Sequence, residues 1–306
     1  MQGWRKRMED THITNLDQGP SKKTQIFGVF DGHGGCEVAK YVSNHFVEEL
    51  LKSQNYLNND IKKALEENYY KMDKLMLEKD GSEELILEYK KSKEEAEKIK
   101  ENNKNAQIEM LRQVIDPKEQ PDAKISMFTG CTANVLIIQD NKLYFANAGD
   151  SRSVLCKKGQ AYQMSIDHKP SIPAELKRIE KADGWVSDGR ILGNLNISRG
   201  IGDSEYKMNK RLKPEEQIIS NFPDVKIENL SNDIDFVVIA CDGIWDCKSN
   251  QEVCEFFSEK FKKNPNEKIS TYIEELYDEI LAPDVYTDTG VGCDNMSCIV
   301  IQNLKK

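Results

Sequence analysis

Four aspartates of this 306-residue chain stand at the ends of apolar segments, each with a glycine next to it or two positions away. An Asp beside a Gly is most often a turn, but four repeats of one design are hard to explain by turns alone. If the apolar segments are strands of packed sheets, their ends converge, and the carboxylates repel each other unless they bind protons or cations. The four are Asp31 after 26–30, Asp150 after 143–147, Asp242 after 236–241 and Asp294 before 296–301.

Clustered carboxylates without His or Cys favour hard divalent cations, here Mg²⁺ or Mn²⁺. Two such ions suit the hydrolysis of a phosphate ester, because at a separation of ~3.5–4 Å they neutralise the phosphoryl charge and lower the pKa of a shared water. The planar guanidinium of Arg5 is suited to hold two phosphate oxygens. His33, two residues after Asp31, is suited to protonate the leaving group. We expect structural or surface roles for the other histidines, His12, His45 and His168.

Other phosphatase chemistries fit the sequence poorly. A cysteine phosphatase needs an arginine six positions after its cysteine, and none of the eight cysteines has one. A phosphoaspartate mechanism needs the pattern D-x-D-x-[TV] just after an apolar strand, whereas the match at residues 233–237 comes before one. There is also no P-loop match. These absences leave metal-assisted hydrolysis as the favoured chemistry.

The elements that must position these residues are strands in hairpins, with helices grouped between them. Asp140-Asn141 is a good two-residue turn between strands at 132–139 and 143–147, and residues 157–160 form a second hairpin turn. A capping box at 249–252 opens a helix. Apolar residues recur at helical spacing in 38–50, 58–79 (with Gly81 as its stop), 253–261 and 273–280. The pattern predicts an α+β fold of antiparallel sheets covered by helices, as one domain over residues 1–306.

Residues 82–123 differ from the rest of the chain. Glu, Lys and Asn dominate this segment, and its apolar residues are sparse. We therefore expect an exposed helical or partly disordered insertion with a solvated charged face, which contributes little to the core.

The composition limits the partner classes. The formal net charge is −9 and no face looks basic enough to follow nucleic acid. No C-x-x-C pair occurs, so structural zinc is not expected and the cysteines are read as reduced thiols. No secretory leader and no membrane-spanning run is visible. We expect a cytoplasmic monomer, with nuclear or peripheral membrane association left open.

Eight blocks, in this order, resemble the metal-dependent protein serine/threonine phosphatases of type 2C. The resemblance covers nearly the whole chain outside 82–123, and it is specific because all the blocks occur together. They are QGWR with MED (2–5, 8–10), VFDGHGG (29–35), GCTA (130–133), GDSR (149–152), DHKP (167–170), SR with GD (198–199, 202–203), DGIWD (242–246) and DNM (294–296).

The resemblance implies a sandwich of two antiparallel β-sheets flanked by α-helices on both outer faces, with a metal cleft at one end. It implies substrates that carry phosphoserine or phosphothreonine, and two Mg²⁺ or Mn²⁺ ions. Arg5 would hold the phosphate and His33 would be the general acid. The implied metal ligands are Asp31 as the bridge, the Gly32 carbonyl, Asp242 and Asp294, with Glu9 acting directly or through water, and with Asp150 and Asp246 holding a weaker third ion together with Asp242.

Other parts of the chain follow from the same resemblance or depart from it. Residues 177–199 would form a flap beside the cleft, which we expect Arg199 and Asp203 to shape without taking part in the chemistry. Asp10 is either a partner of metal-bound water or a residue that stabilises local structure. The family has a further strand before the QGWR block, at which this sequence starts, so we expect an exposed sheet edge and weaker placement of Arg5.

Two alternatives to an active protein phosphatase remain at this point. The first is a catalytically dead relative that binds phosphoproteins or another partner. The second is a phosphohydrolase acting on small molecules, because the flap decides which substrates fit. Every ligand position that the resemblance calls for is filled, which argues against the dead relative.

Overall fold

The computed structural model describes residues 1–19, 23–102, 124–285 and 290–304. The strands are β1 Thr11–Gln18, β2 Thr24–Phe30, β3 Gly32–His33, β4 Gly130–Cys131, β5 Ala133–Gln139, β6 Lys142–Ala148, β7 Arg152–Lys157, β8 Gln160–Gln163, β9 Val186–Ser187, β10 Arg190–Ile191, β11 Ile201–Gly202, β12 Asp224–Asn229, β13 Ile234–Ala240 and β14 Cys298–Gln302. The helices are α1 Glu37–Lys52, α2 Gln54–Leu57, α3 Ile61–Leu77, α4 Lys79–Asn102, α5 Pro173–Lys181, α6 Asp242–Trp245, α7 Asn250–Lys263 and α8 Ile269–Ile280.

Two antiparallel sheets pack face to face. The first has five strands in the order β1-β2-β5-β6-β12, and the second has four in the order β14-β13-β7-β8. Side chains of β2 and β5 alternate between two cores: Phe27 and Leu136 point into the sandwich, whereas Ile26 and Val135 point toward the helices. Both faces of these strands are buried, which explains why they read as continuous apolar runs rather than as alternating ones.

Helices cover both outer faces of the sandwich. The first sheet packs on α1, α3 and α4 through a core that includes Phe46, Leu65 and Tyr69. The second sheet packs on α7 and α8 through Phe236, Phe257 and other aromatic residues. The predicted α+β sandwich with helices on both outer faces is therefore confirmed. Of the helices described, none is both long enough and apolar enough to cross a bilayer.

Two local predictions are confirmed and one is wrong. Asp140 and Asn141 join β5 to β6 with positive φ angles of 49° and 62°, as a tight hairpin turn requires. Ser249 and Glu252 form the capping box of α7 as predicted. The stop predicted at Gly81 is wrong, because α3 ends at Leu77 and Gly81 lies inside α4. A Cβ on Gly81 would lie 2.2 Å from the Leu75 carbonyl oxygen, so glycine here permits close approach of the two helices.

Helix α4 corrects the expectation for residues 82–123. The side chain of Leu85 is 1% exposed in the core shared with α1 and α3, and Ile86 and Tyr89 pack against that core. Farther along the same face, buried Ser92 lies with its Oγ 3.1 Å from the Cys36 Sγ. A few apolar residues at helical spacing were enough to dock the helix. Residues 103–123 of the predicted insertion lie outside the described residues.

Candidate active site

Three carboxylates meet at one end of the sandwich. Asp31 follows β2, Asp150 lies in the loop between β6 and β7, and Asp242 is the first residue of α6, directly after β13. Each offers one oxygen, and these oxygens all lie within 4.8 Å of one another. The strand ends therefore converge for these three residues, as the repeated Asp-Gly design suggested.

A cleft of about 580 Å³ surrounds the three carboxylates. Its wall also contains five of the other predicted site residues, Arg5, Glu9, Gly32, His33 and Asp294. Two predicted residues do not line it. Asp10 is buried behind the cleft, and Asp246 caps the C-terminal end of α6 with its residue exposed.

The cleft carries too much negative charge to ionise fully without cations. Burial raises the pKa of Asp242 to about 7, and the carboxylates of Asp150 and Asp246 add to that shift. Burial likewise raises the pKa of Asp31 well above its usual range, and the charges of Asp10 and Asp242 make the next largest contributions. The ammonium group of Lys169 pairs with Asp150 and compensates part of this charge. An all-oxygen cluster with raised carboxylate pKa values fits a hard divalent cation.

Asn295 fastens the amino-terminal segment to the cleft with three hydrogen bonds. Its amide nitrogen donates to the carbonyl oxygens of Gln2 (2.8 Å) and Arg7 (3.0 Å), and its Oδ1 accepts from the backbone N–H of Glu9 (2.8 Å). Sequence reasoning quoted Asn295 within a block but gave it no role. The expectation of weak Arg5 placement is not borne out here, because both neighbouring stretches of backbone are held.

Arg5 itself reaches the acidic cluster. Its Nη2 donates to the Oδ2 of Asp294 at 2.5 Å, while 62% of the Arg5 side chain stays exposed to the cleft. The neighbouring residue is also held, because the Trp4 Nε1 donates to the carbonyl oxygen of Ala282 at 2.8 Å. The guanidinium is thus anchored at one end and accessible to a ligand.

His33 has a partner that sequence reasoning missed. Its Nε2 lies 2.8 Å from the Oδ2 of Asp203, whose side chain is buried. Burial alone would lower the pKa of His33, but the charge and hydrogen bond of Asp203 overcome that effect and raise it. A Cβ at Gly130 would lie 2.3 Å from the Asp203 Oδ2 and 2.6 Å from the His33 Nε2, so only glycine lets the two meet.

Asp203, which we expected to shape the flap without taking part in the chemistry, thus lies against His33, and its role there stays a prediction. The only available signal was that Asp203 belongs to one of the eight blocks, since 170 residues separate it from His33. Arg199 joins α5 to β12. It donates to both carboxylate oxygens of Glu175 and to Asp224. With Arg178 as a second partner, these contacts overcome burial and lower the pKa of Glu175 to about 2.

Comparison with known proteins supports one family. The family model described as "Protein phosphatase 2C" matches residues 1–87 and 77–289. The chain is 44% identical to "Probable protein phosphatase 2C 6" of Paramecium tetraurelia, over 99% of this chain and 90% of that protein. It is 42% identical to "Probable protein phosphatase 2C 21" of Arabidopsis thaliana, over 99% of this chain and 84% of that protein.

Solved structures agree on the fold. A serine-threonine phosphatase 2C from Toxoplasma gondii superposes with a TM-score of 0.68 at 16% identity, over 98% of this chain and 92% of the other. A second phosphatase from that organism gives a TM-score of 0.67 at 22% identity, over 99% and 90% of the two chains. With matches that span nearly its full length, this chain belongs to the protein phosphatase 2C family.

Proposed function

We propose that this protein hydrolyses phosphoserine and phosphothreonine in proteins, with a water molecule as the nucleophile and two Mg²⁺ or Mn²⁺ ions in the cleft. The observation that carries this proposal is the convergence of Asp31, Asp150 and Asp242 within 4.8 Å, in the same cleft as Arg5 and His33. Membership of the family makes the enzyme a protein serine/threonine phosphatase; the roles of single residues, the metal identity and the number of ions are our inference.

The ions would be held by oxygen atoms alone. Asp31 would bridge the two, and Asp242, Asp294 and the Gly32 carbonyl would complete the set, with Glu9 acting directly or through water. Asp150 and Asp246 would hold a weaker third ion together with Asp242. When bound, such ions neutralise phosphoryl charge and lower the pKa of water. The raised pKa values of Asp31 and Asp242 support this assignment, because bound cations offset both the burial and the carboxylate repulsion that raise them.

Arg5 would orient the phosphoryl group. Its guanidinium can hold two phosphate oxygens in one plane, and the bond to Asp294 keeps it beside the carboxylate cluster. Asn295 would act through Arg5 and Glu9, since it fixes the backbone on both sides of Arg5. Asp10, buried behind the cleft, would support the site without contacting the substrate.

His33 would give its proton to the serine or threonine oxygen as that oxygen leaves. An alkoxide is a poor leaving group, so protonation in the transition state is worth about 10²–10⁴-fold. Asp203 favours the protonated imidazole by charge and by hydrogen bond. In the imidazolium the Nε2–H donates to Asp203 and Nδ1 carries the second proton, so either Nδ1 gives its own proton to the leaving oxygen or the ring turns so that Nε2 can do so.

The test compares two substrates and two proteins. Wild type and His33→Gln are assayed with Mn²⁺ on a phosphothreonine peptide and on p-nitrophenyl phosphate, whose phenolate leaves without a proton. We expect kcat to fall by about 10²–10⁴-fold on the peptide and far less on p-nitrophenyl phosphate. An equal fall on both substrates would show that His33 supports metal or phosphate binding instead. Hydrolysis by chelator-treated wild type would contradict the metal requirement.

A further inference from the structure

A second cavity, of about 490 Å³, lies beside the catalytic cleft and outside the machinery described above. Its walls are the exposed side of α3, the short 3-10 helix Ile125–Met127, and the segment 204–217. We call it the α3 groove. Its apolar lining consists of Tyr70, Leu77, Met127, Met208, Leu212 and Pro214.

The apolar lining of the α3 groove is unusually accessible. Tyr70 is 47% exposed, Leu77 43% and Met208 66%. Single exposed apolar side chains are ordinary on a protein surface, whereas several around one concave feature mark a binding site. Methionine in particular adapts its shape to different apolar partners.

The rim of the α3 groove is basic on a protein that is acidic overall. Lys74, Lys124 and Lys210 line it and are exposed, while the whole chain has a formal net charge of −9. Within the described residues, Asp73 is the one acidic residue of the lining. Its carboxylate is already used: it accepts from Lys207 Nζ at 2.6 Å and from the backbone N–H of Gly202 at 2.7 Å. The groove therefore presents positive charge around an apolar floor.

The floor is held in place before any ligand binds. The largely buried pair of Asp73 and Lys207 ties α3 to the segment that follows β11. Buried Gln217 donates to the carbonyl oxygens of Asn209 and Leu212 and accepts from the Asn209 N–H, which fixes the opposite wall. A preformed site spends little binding energy on ordering itself.

The α3 groove also adjoins the proposed acid. Ser204 lines the groove, and the preceding residue, Asp203, bonds His33 in the cleft. The Ser204 hydroxyl lies 3.2 Å from that of Ser126 on the 3-10 helix. The residue that supports His33 and a residue of the groove wall are therefore consecutive in the chain, which links the groove to the support of His33.

From these observations we propose that the α3 groove binds an unphosphorylated segment of the protein substrate in which Phe or Leu anchors alternate with Asp and Glu. The proposal rests on the proposed function, since it gives the enzyme a recognition site for phosphoproteins that is separate from the catalytic cleft. The apolar floor would take the anchors, and the lysine rim would select acidic neighbours over basic ones.

The first experiment measures binding without catalysis. The probe is a fluorescein-labelled peptide, EDFDELLDE, titrated with wild-type protein and followed by anisotropy. We expect saturable binding that weakens at least tenfold in Leu77→Ser/Met208→Ser and, separately, in Lys74→Glu/Lys210→Glu. The matched controls are Leu57→Ser, which alters a leucine that is 55% exposed on α2, and Lys142→Glu, which reverses an exposed lysine on β6. Both controls should bind like wild type.

Three binding results would overturn the proposal: no saturable binding, equal binding by the groove variants, or equal binding of a peptide with its Phe and Leu replaced by Ser. All substituted positions are exposed, and thermal melting of each variant separates lost binding from lost folding.

The second experiment separates the groove from the cleft. Excess unlabelled peptide should inhibit wild-type hydrolysis of phosphocasein at least fivefold and leave hydrolysis of p-nitrophenyl phosphate unchanged. Inhibition of both reactions would place the peptide in the catalytic cleft and refute the groove. If wild type hydrolyses neither substrate, the proposed function fails, whereas the anisotropy titration still decides whether the groove binds the peptide.

Discussion

Replacing Asp203 by Asn tests whether a buried carboxylate makes His33 an effective acid. Asn keeps the size and some of the hydrogen bonding of Asp but removes its charge. A hydrogen bond to a charged group is worth about 1.5–3 kcal/mol, and 1.36 kcal/mol corresponds to tenfold in rate. We therefore expect kcat on a phosphothreonine peptide to fall by about 10- to 150-fold. This fall lies below or at the lower end of the ~10²–10⁴-fold expected for complete loss of a general acid, because the acid itself is still present.

The pH dependence gives the sign of the effect. In wild type the charge of Asp203 raises the pKa of His33, so the imidazolium persists to higher pH. In Asp203→Asn the largest effects that oppose burial are gone and only the smaller ones of Asp150 and Glu9 remain, so the pKa of His33 falls and the basic limb of the pH–kcat profile should move to lower pH. The stabilising ion pair is complete below the unfolded pKa of histidine and is lost as pH rises through the raised folded value. The variant should thus lose more thermal stability at pH 6 than at pH 9.

The matched control is Asp183→Asn. Asp183 is an exposed residue of the flap region with a positive φ angle, as Asp203 has, so the control repeats the substitution in the same backbone conformation away from His33. It should leave both rate and pH profile unchanged. An equal fall of the Asp203→Asn rate on peptide and on p-nitrophenyl phosphate would refute the reasoning, because only the peptide needs the proton. An unshifted basic limb would refute it as well.

Three further perturbations follow from the charges and the packing. Asp242→Asn should lose nearly all activity, yet in chelator at pH 8 it should melt above wild type. Because the pKa of Asp242 is raised to about 7, its ionised carboxylate destabilises the folded wild-type protein. This destabilisation grows as pH rises from the pKa of the unfolded state to about 7, so the melting points of the two proteins should converge near pH 4. A lower melting point for the variant at pH 8 would contradict the repulsion. Leu85→Ala should cost about 2–5 kcal/mol in urea unfolding, whereas Leu87→Ala, at a position 53% exposed, should cost under about 0.5 kcal/mol; similar values would show that α4 is not docked. Glu175→Gln should lower the free energy of unfolding by about 3–5 kcal/mol at pH 7, because Arg178 and Arg199 lose their buried carboxylate partner. Wild type should lose this contribution as pH falls from the usual pKa of glutamate through the lowered pKa of Glu175, about 2. If the acid-unfolding curves of wild type and variant are identical, this account of Glu175 is contradicted.

The fold was largely predictable, because its signals are local. The Asp140-Asn141 turn and the capping box at Ser249 depend on residues within four positions of each other. The buried strands are covered on both faces and therefore appear as continuous apolar runs. They could be located in the sequence without deciding which face each side chain points to. Helix α4 was harder, since its docking depends on a narrow stripe around Leu85 in an otherwise charged segment.

The candidate site was predictable only in part, because its support is long-range. The repeated Asp-Gly design indicates that Asp31, Asp150 and Asp242 meet, since each terminates a strand of a packed sheet. Nothing in the spacing of the chain indicates that Asp203 would reach His33 or that Asn295 would hold the backbone of residues 2–9. Such contacts depend on how loops fold over the end of the sandwich, which periodicity does not encode.

Metal stoichiometry measured together with activity tests the central claim most directly. Protein stripped with chelator is titrated with Mn²⁺; bound metal is counted by equilibrium dialysis, and phosphothreonine peptide hydrolysis is followed at each step. We predict no turnover in the stripped protein and a rise in activity that follows the second ion bound per chain. Substantial turnover without metal, or full activity with a single ion bound, would contradict a dinuclear site at the carboxylate cluster.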